Sequence, residues 1–357
     1  MLYILVVVVL GLFSLFSTVS AHEAYVMPYD TFWNGVHQTS NPSIFEALEN
    51  PADIQVTAII VVSVLLFLGL NFLFRLSKPG QKVHLFFEKF SRFGPHAVRI
   101  SIAVSLFFSA WSGVFLGPEL HGNLFAQSEL IRGTLFVISF MILFGVMTEL
   151  AAVVGIAIFI SAFSVFGSYM LTYSNYLGEF IVLLLFGMRV FSVDKYLFGP
   201  LKRFHSLEKY ETLIIRVMYG FALIYAAITV KLLHPDLTTS VVTTWNLTQF
   251  HWLFPSDPLL VAFGAGIVEC VIGLFIIFGF EMRMTILISL FYITLSLLYF
   301  RELVWPHILL YGISFNLLVQ PETFTLDHLF FGRKKGEKPW WKRPFLPHNK
   351  VGKSKSV

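Results

Sequence analysis

One cysteine, Cys270, is all that 357 residues contain, and it lies inside an apolar stretch. A single thiol cannot close an internal disulfide, form a CxxC redox pair or supply a thiolate cluster. That excludes a disulfide scaffold and a membrane thiol oxidoreductase. Charge is scarce as well. Charged residues make up 13% of the chain, where a soluble domain carries roughly 25%. There is also no phosphate-binding loop, nucleophile elbow, haem motif or nucleotide fingerprint. The excess of Lys and Arg gives a net charge of +4 and a pI near 9.0, but the basic residues follow membrane topology, not nucleic acid.

What is present is apolar. Hydrophobic residues reach 56% and mean hydropathy is +0.76. The apolar runs are long and continuous, which is the signature of spanning helices and not of alternating barrel strands. The expected fold is therefore all-α: a polytopic helical membrane protein with about nine transmembrane helices after a signal peptide.

Residues 1–21 read as that signal. An apolar run ends in Ser17-Thr18-Val19-Ser20-Ala21, with Val19 and Ala21 in the small-residue pattern before a cleavage site. An uncleaved anchor is the alternative. Residues 22–53 are polar, with five acids and no Lys or Arg. An anchor span at 56–74 follows, and then a basic linker to residue 96. Further spans are expected at 98–116, 133–147, 151–171, 177–193, 213–233, 259–280, 284–300 and 306–319. Assigning alternate sides puts 22 of the 25 basic residues inside and leaves Arg132, Lys231 and Arg301 outside. The positive-inside rule then orients the chain in the plasma membrane, with the 22–53 segment outside and the basic tail, 331–357, in the cytoplasm. That tail, with Trp340, Trp341 and Phe345, suits an anionic lipid surface.

The chain repeats itself. Val98-Arg99-Ile100 opens one span and Pro118-Glu119-Leu120 closes it. Ile215-Arg216-Val217 and Pro235-Asp236-Leu237 do the same, with 19 residues from Arg to Pro in both cases. Phe144-Gly145 matches Phe278-Gly279. Phe191-Ser192-Val193-Asp194 matches Phe324-Thr325-Leu326-Asp327. The chain thus divides into two parallel four-helix repeats, 97–210 and 211–330. Four helices return to the side they started from, so the repeat axis lies along the membrane normal.

The second unit carries Arg216-x3-Gly220, Lys231, Pro235, Glu269-x3-Gly273, Gly279-x3-Arg283 and Thr325-x-Asp327. That order and spacing resembles the DoxX family of four-helix membrane proteins, closely over about 213–329 and more loosely over about 97–197. The resemblance implies a tandem DoxX-like chain with an added outer segment and anchor helix. It points to a quinone-linked or anchoring subunit of a membrane redox complex, with a soluble oxidoreductase as partner and Arg216 and Arg283 beside the quinone. Turnover, if there is any, would be that of a quinone-dependent oxidoreductase. The first unit departs from the pattern: Val114 stands for Lys231, Leu135 for Glu269 and Glu149 for Arg283. The alternative function is a non-enzymatic membrane protein that binds or moves a small solute, lipid or metal ion, or a scaffold subunit.

Charge inside a bilayer costs at least about 2.5–3.5 kcal/mol, so each such residue needs a reason. Glu269 lies roughly 15 Å into its span at 1.5 Å per residue. Gly266, Glu269 and Gly273 share one face, which small residues mark as a helix contact. Lys231 leans towards Glu269 from the preceding span. The pair is either a packing device or a proton-handling, quinone-contacting site. Arg216 is expected to snorkel to the inner surface. Glu179 and Arg189 read as interfacial, and Glu149, Glu281 and Arg283 as residues of inner turns. On the outer side, His22 would be the mature N-terminus. With His37, His121 and His234, accompanied by Glu119 and Asp236, it forms a candidate copper or zinc site. The same fragments admit an ordinary reading as loop histidines.

Overall fold

The computed structural model describes residues 29–36, 43–49, 51–125, 127–187, 193, 205–249, 255–320 and 324–331. The chain is all-α and polytopic. Five continuous helical stretches are long and apolar enough to cross a membrane: Pro79–Ser112, Thr148–Phe186, Glu211–Leu232, Pro258–Phe278 and Met282–Tyr299. Leu65–Leu76 and Val304–Val319 are shorter apolar helices. The expected signal sequence, the tail after Phe331, Arg189 and the 191–194 motif except Val193 lie outside the described residues.

The polar outer segment contributes α1 (Tyr29–Val36). The anchor helix α2 (Pro51–Leu76) follows, with most of its apolar side chains exposed. The basic linker is helical, which the composition did not suggest. Here α3 (Lys78–Glu88) starts at Ser77, whose hydroxyl accepts the Gly80 N–H, with Pro79 in the first turn.

The first unit is α4 (Gly94–Ser112), α5 (Ser128–Phe144), α6 (Thr148–Phe166) and α7 (Ser174–Phe186). A two-stranded hairpin, β1 (Val114–Phe115) and β2 (Gly117–His121), separates α4 from α5. The second unit opens with α8 (Glu211–Ala226), which runs into a π-helical turn, Ala227–Leu232. A short helix, α9 (Pro235–Thr244), occupies the place of the hairpin. Then come α10 (Pro258–Phe278), α11 (Met282–Tyr299) and α12 (Val304–Val319). A last piece, α13 (Leu326–Phe331), closes the described chain.

The eight unit helices form a closed ring in which each packs on its sequence neighbour, α7 packs on α8 and α12 returns to α4. The two joints between units are equivalent, each bringing the last helix of one unit to the first of the other. That is the arrangement expected of a parallel repeat. The α5–α6 and α10–α11 turns also match. Gly145 and Gly279 both take left-handed φ values, 69° and 64°, followed two residues later by Met147 and Glu281 at 46° and 45°. In both, the residue after the glycine donates its N–H back to the helix: Val146 to Met141 O, and Phe280 to Phe275 O.

These turns define one end of the ring, the turn end, where α4 and α8 begin and α7 and α12 finish. The other, the hairpin end, carries β1–β2, α9 and α1. Arg75, Arg99, Arg216 and Arg283 all gather at the turn end.

Close packing comes from small residues. A Cβ on Gly220 would lie 2.5 Å from Gly273 O, so α8 and α10 cross with their backbones almost in contact. Ser101 and Thr294 return their hydroxyls to the carbonyl four residues earlier. Such bonds satisfy polar groups where no water is available.

Candidate functional site

The π-turn sets the site. Leu233 N donates to Ile228 O, five residues back, in the wider π ladder. Lys231 sits in this turn and is buried, as are Val230 and Ala227 of the same turn. Its Nζ lies 3.3 Å from Glu269 Oε1 on α10. Gly266, one turn before Glu269, makes room: its missing Cβ would sit 3.3 Å from Lys231 Cβ and against Leu232. Side-chain exposure is 7% for Lys231 and 15% for Glu269. The carboxylate is therefore the partner within reach of a ligand from outside the bundle. The 3-10 turn Ile44–Leu48 and α9 pack on α10.

Arg216 does not snorkel. It is 2% exposed, and its Nη2 donates to Phe324 O at 2.6 Å. The reason is the last segment, which folds back beneath α8 and the Gly279 turn. Asp327 is fully buried there. Its Oδ1 accepts the Glu281 N–H and its Oδ2 the Met282 N–H, both at 2.7 Å, so the carboxylate caps α11. Arg75 Nη1 reaches the same Oδ2 at 2.6 Å. Asp327 N donates to Gly279 O at 3.0 Å. One carboxylate thus ties the anchor helix, the α10–α11 turn and the chain end together.

Glu281 joins this lock, where the sequence offered a plain turn residue. It is buried, and it accepts a hydrogen bond from Asn71 Nδ2. Burial, followed by the charge of Asp327, pushes its carboxyl up to about 7, against the opposing effects of Arg75 and Asn71. Arg283 is likewise engaged. It donates to His84 O and lies 3.4 Å from Glu88 Oε1, both on α3.

The hairpin end holds two more buried carboxylates. Glu119 accepts hydrogen bonds from the hydroxyls of Tyr169, at 3.1 Å, and Tyr173. Trp33 and Phe32 of α1 pack edge-on to Tyr169. Trp33 docks α1 on the first unit. Glu302 Oε2 lies 2.7 Å from His307 Nε2, and its other oxygen accepts the Ser296 hydroxyl. Nothing in the sequence singled out Glu302.

Of the four candidate metal ligands, His22 and His37 lie outside the described residues. His121 stacks on Tyr29 with ring centroids 4.1 Å apart, and His234 precedes α9. Among the described residues, no three of His, Cys, Asp and Glu converge to hold a metal ion.

Glu179 is not interfacial. It is 1% exposed and lines a cavity at the turn end with Arg99, Glu211 and Asn316. The short α7 draws it inward, since a buried 3-10 turn, Gly167–Tyr173, takes up the chain before it.

No protein-family model, curated protein or solved structure matches the chain.

Proposed function

We propose that this chain is a proton-handling subunit of a quinone-linked membrane redox system, with Lys231 and Glu269 as its working pair. The observation that supports this is the pair's setting. Two opposite charges face each other 3.3 Å apart within an apolar bundle, and one of them stands on a π-turn. Intramembrane charge is costly and mostly functional, and π-turns inside helices frequently mark functional sites.

The two groups suit a quinone in both oxidation states. An ammonium can donate to the quinone carbonyl, and a carboxylate can accept from the hydroxyl of the reduced form. The quinone supplies two-electron, two-proton chemistry. Lys231 would orient the carbonyl, and Glu269, the more exposed of the two, would take or return the proton. The electrons would come from a soluble oxidoreductase docked at the basic turn end. In this reading the protein lies in the plasma membrane with residues 22–53 outside and the tail in the cytoplasm. Arg216 and Arg283 are engaged within the fold and serve to hold the turn end in shape.

The test is quinone retention by the full chain, gently extracted into nanodiscs. Wild type should carry menaquinone or ubiquinone detectable by native mass spectrometry. Glu269→Gln should lose it while the chain stays folded, at a stability cost no larger than that of Lys231→Met. Equal quinone content in wild type, Glu269→Gln and a Lys231→Met/Glu269→Leu double variant would sink the proposal. So would a wild-type chain that binds no added quinone.

A further inference from the structure

A second constellation of ionisable groups plays no part in the Lys231–Glu269 pair. A cavity of about 90 Å³ opens where α4, α7, α8 and α12 meet at the turn end. These are the first and last helices of the two units, so the cavity lies at the junction between them. Its polar lining is His96 and Arg99 from α4, Glu179 from α7, Glu211 from α8 and Asn316 from α12.

The lining is graded. His96, Arg99 and Glu211 are half-buried and make the rim. Glu179 and Asn316 are buried and make the floor. Glu179 Oε1 and Asn316 Oδ1 accept no hydrogen bond among the described residues. Two buried acceptors beside one cavity call for donors that the protein does not itself supply. A water needs about 10–15 Å³ of such space, so the cavity has room for a short file of them.

We propose that this cavity is a proton port, with Glu179 as the acceptor loaded through it from the turn end. The step is a simple transfer. A hydronium ion in the cavity gives its proton to a carboxylate oxygen of Glu179, leaving water and a neutral carboxylic acid. Release is the reverse. Glu211 repels a second negative charge on Glu179 and Arg99 attracts one, so their balance sets when the proton leaves. His96 stands beside Arg99 at the rim. Glu149 faces the α7 end of the port, with its Oε1 3.0 Å from the place a Cβ on Gly187 would take. In the orientation that the charge asymmetry predicts, the port faces the cytoplasm. The inference does not depend on the role given to Lys231 and Glu269.

Infrared spectroscopy of the full chain in reconstituted membranes tests it. Stepping the pH should reveal a carboxylic acid C=O band that shifts in D₂O. The Glu179 band should vanish in Glu179→Gln, persist in Glu211→Gln, Glu269→Gln and Glu281→Gln, and return at a shifted position in Glu179→Asp; a second band that only Glu281→Gln removes belongs to Glu281. Ile215→Trp, which fills the cavity from α8, should slow the D₂O shift several-fold without removing the band. The port is overturned if Glu179→Gln leaves the band intact, or if no such band exists at any pH. It is equally overturned if Glu269→Gln removes the band, which would place the exchanging proton in the other site. Exchange that Ile215→Trp does not slow would also overturn it.

Discussion

The two units share a backbone plan and differ in what they bury. Their turns at Gly145 and Gly279 superpose in φ and in hydrogen bonding. Yet the second unit places Lys231 and Glu269 where the first has Val114 and Leu135. In the first unit those two apolar residues line a cavity of about 100 Å³ near the hairpin end, beside Arg132 and Glu129. In the second, the charged pair and the π-turn occupy the corresponding region. Conversely, the first unit buries Glu179, and the second has Gly312 at the matching place, packed on Ser101 and the Ala97 carbonyl. The two units keep equivalent helix joints and differ in which of these positions carry ionisable groups.

The largest expected effect is at the chain end. Asp327→Ala removes both caps of α11 and leaves Arg75 without its carboxylate, at a cost of about 3–5 kcal/mol. Reversible unfolding in mixed micelles measures it, and a loss below 1 kcal/mol would contradict the lock. Asp194→Ala in the same assay asks whether the first unit ends in an equivalent lock.

Next comes the pair. Lys231→Met removes the ammonium from beside Glu269 and should cost about 3 kcal/mol, whereas Lys231→Met with Glu269→Leu should recover most of it. Moving the pair into the first unit, as Val114→Lys with Leu135→Glu, should destabilise by about 1–4 kcal/mol. No π-turn is present there to set the lysine. A transplanted pair as stable as wild type would erase the distinction between the units.

A smaller loss is expected on the first unit's hairpin end. Tyr173→Phe removes one of two hydroxyls from Glu119 and should cost about 1.5 kcal/mol. A thermal shift in detergent measures it, with Ser168→Ala as the exposed control.

The last effect is a slope with pH. Glu281 holds its proton up to about pH 7 in the folded chain, against 4.5 for an ordinary glutamate. Between those values the folded state binds the proton that the unfolded chain has released, so stability falls as pH rises. Glu281→Gln should remove that part of the slope. Parallel wild-type and variant curves would show that the carboxyl is ionised in the fold.

Much of this was legible beforehand, for identifiable reasons. Each of the nine expected apolar stretches begins on a helix, five of the helical stretches are long enough to span, 98–116 ends in β1, and 177–193 leaves the described residues after Gly187; hydrophobic runs satisfy their backbone within helices. Lys231 and Glu269 were matched from their helix faces and from the glycines beside Glu269, since small residues on one face announce a close crossing. Arg216 and Glu179 were misjudged. Both judgements rested on distance along a helix, and what decided their burial was another segment: the returning chain end in one case and the short α7 in the other. Glu302 gave no signal, being one acid after a span end like any other. Its partnership with His307 exists because Ser296 and the start of α12 converge on it.

Composition and hydropathy by themselves determine the class of molecule, an all-α polytopic protein, and where its apolar stretches lie. These are properties summed along the chain, and transfer from water to hydrocarbon acts on each segment separately. Only the tertiary structure decides the ring closure between α4 and α12, the π-turn under Lys231, the Asp327 lock and the Glu179 cavity. Each of these depends on groups far apart in sequence meeting in a low-dielectric interior. There the value of a charge is set by its neighbours and not by its place in the chain.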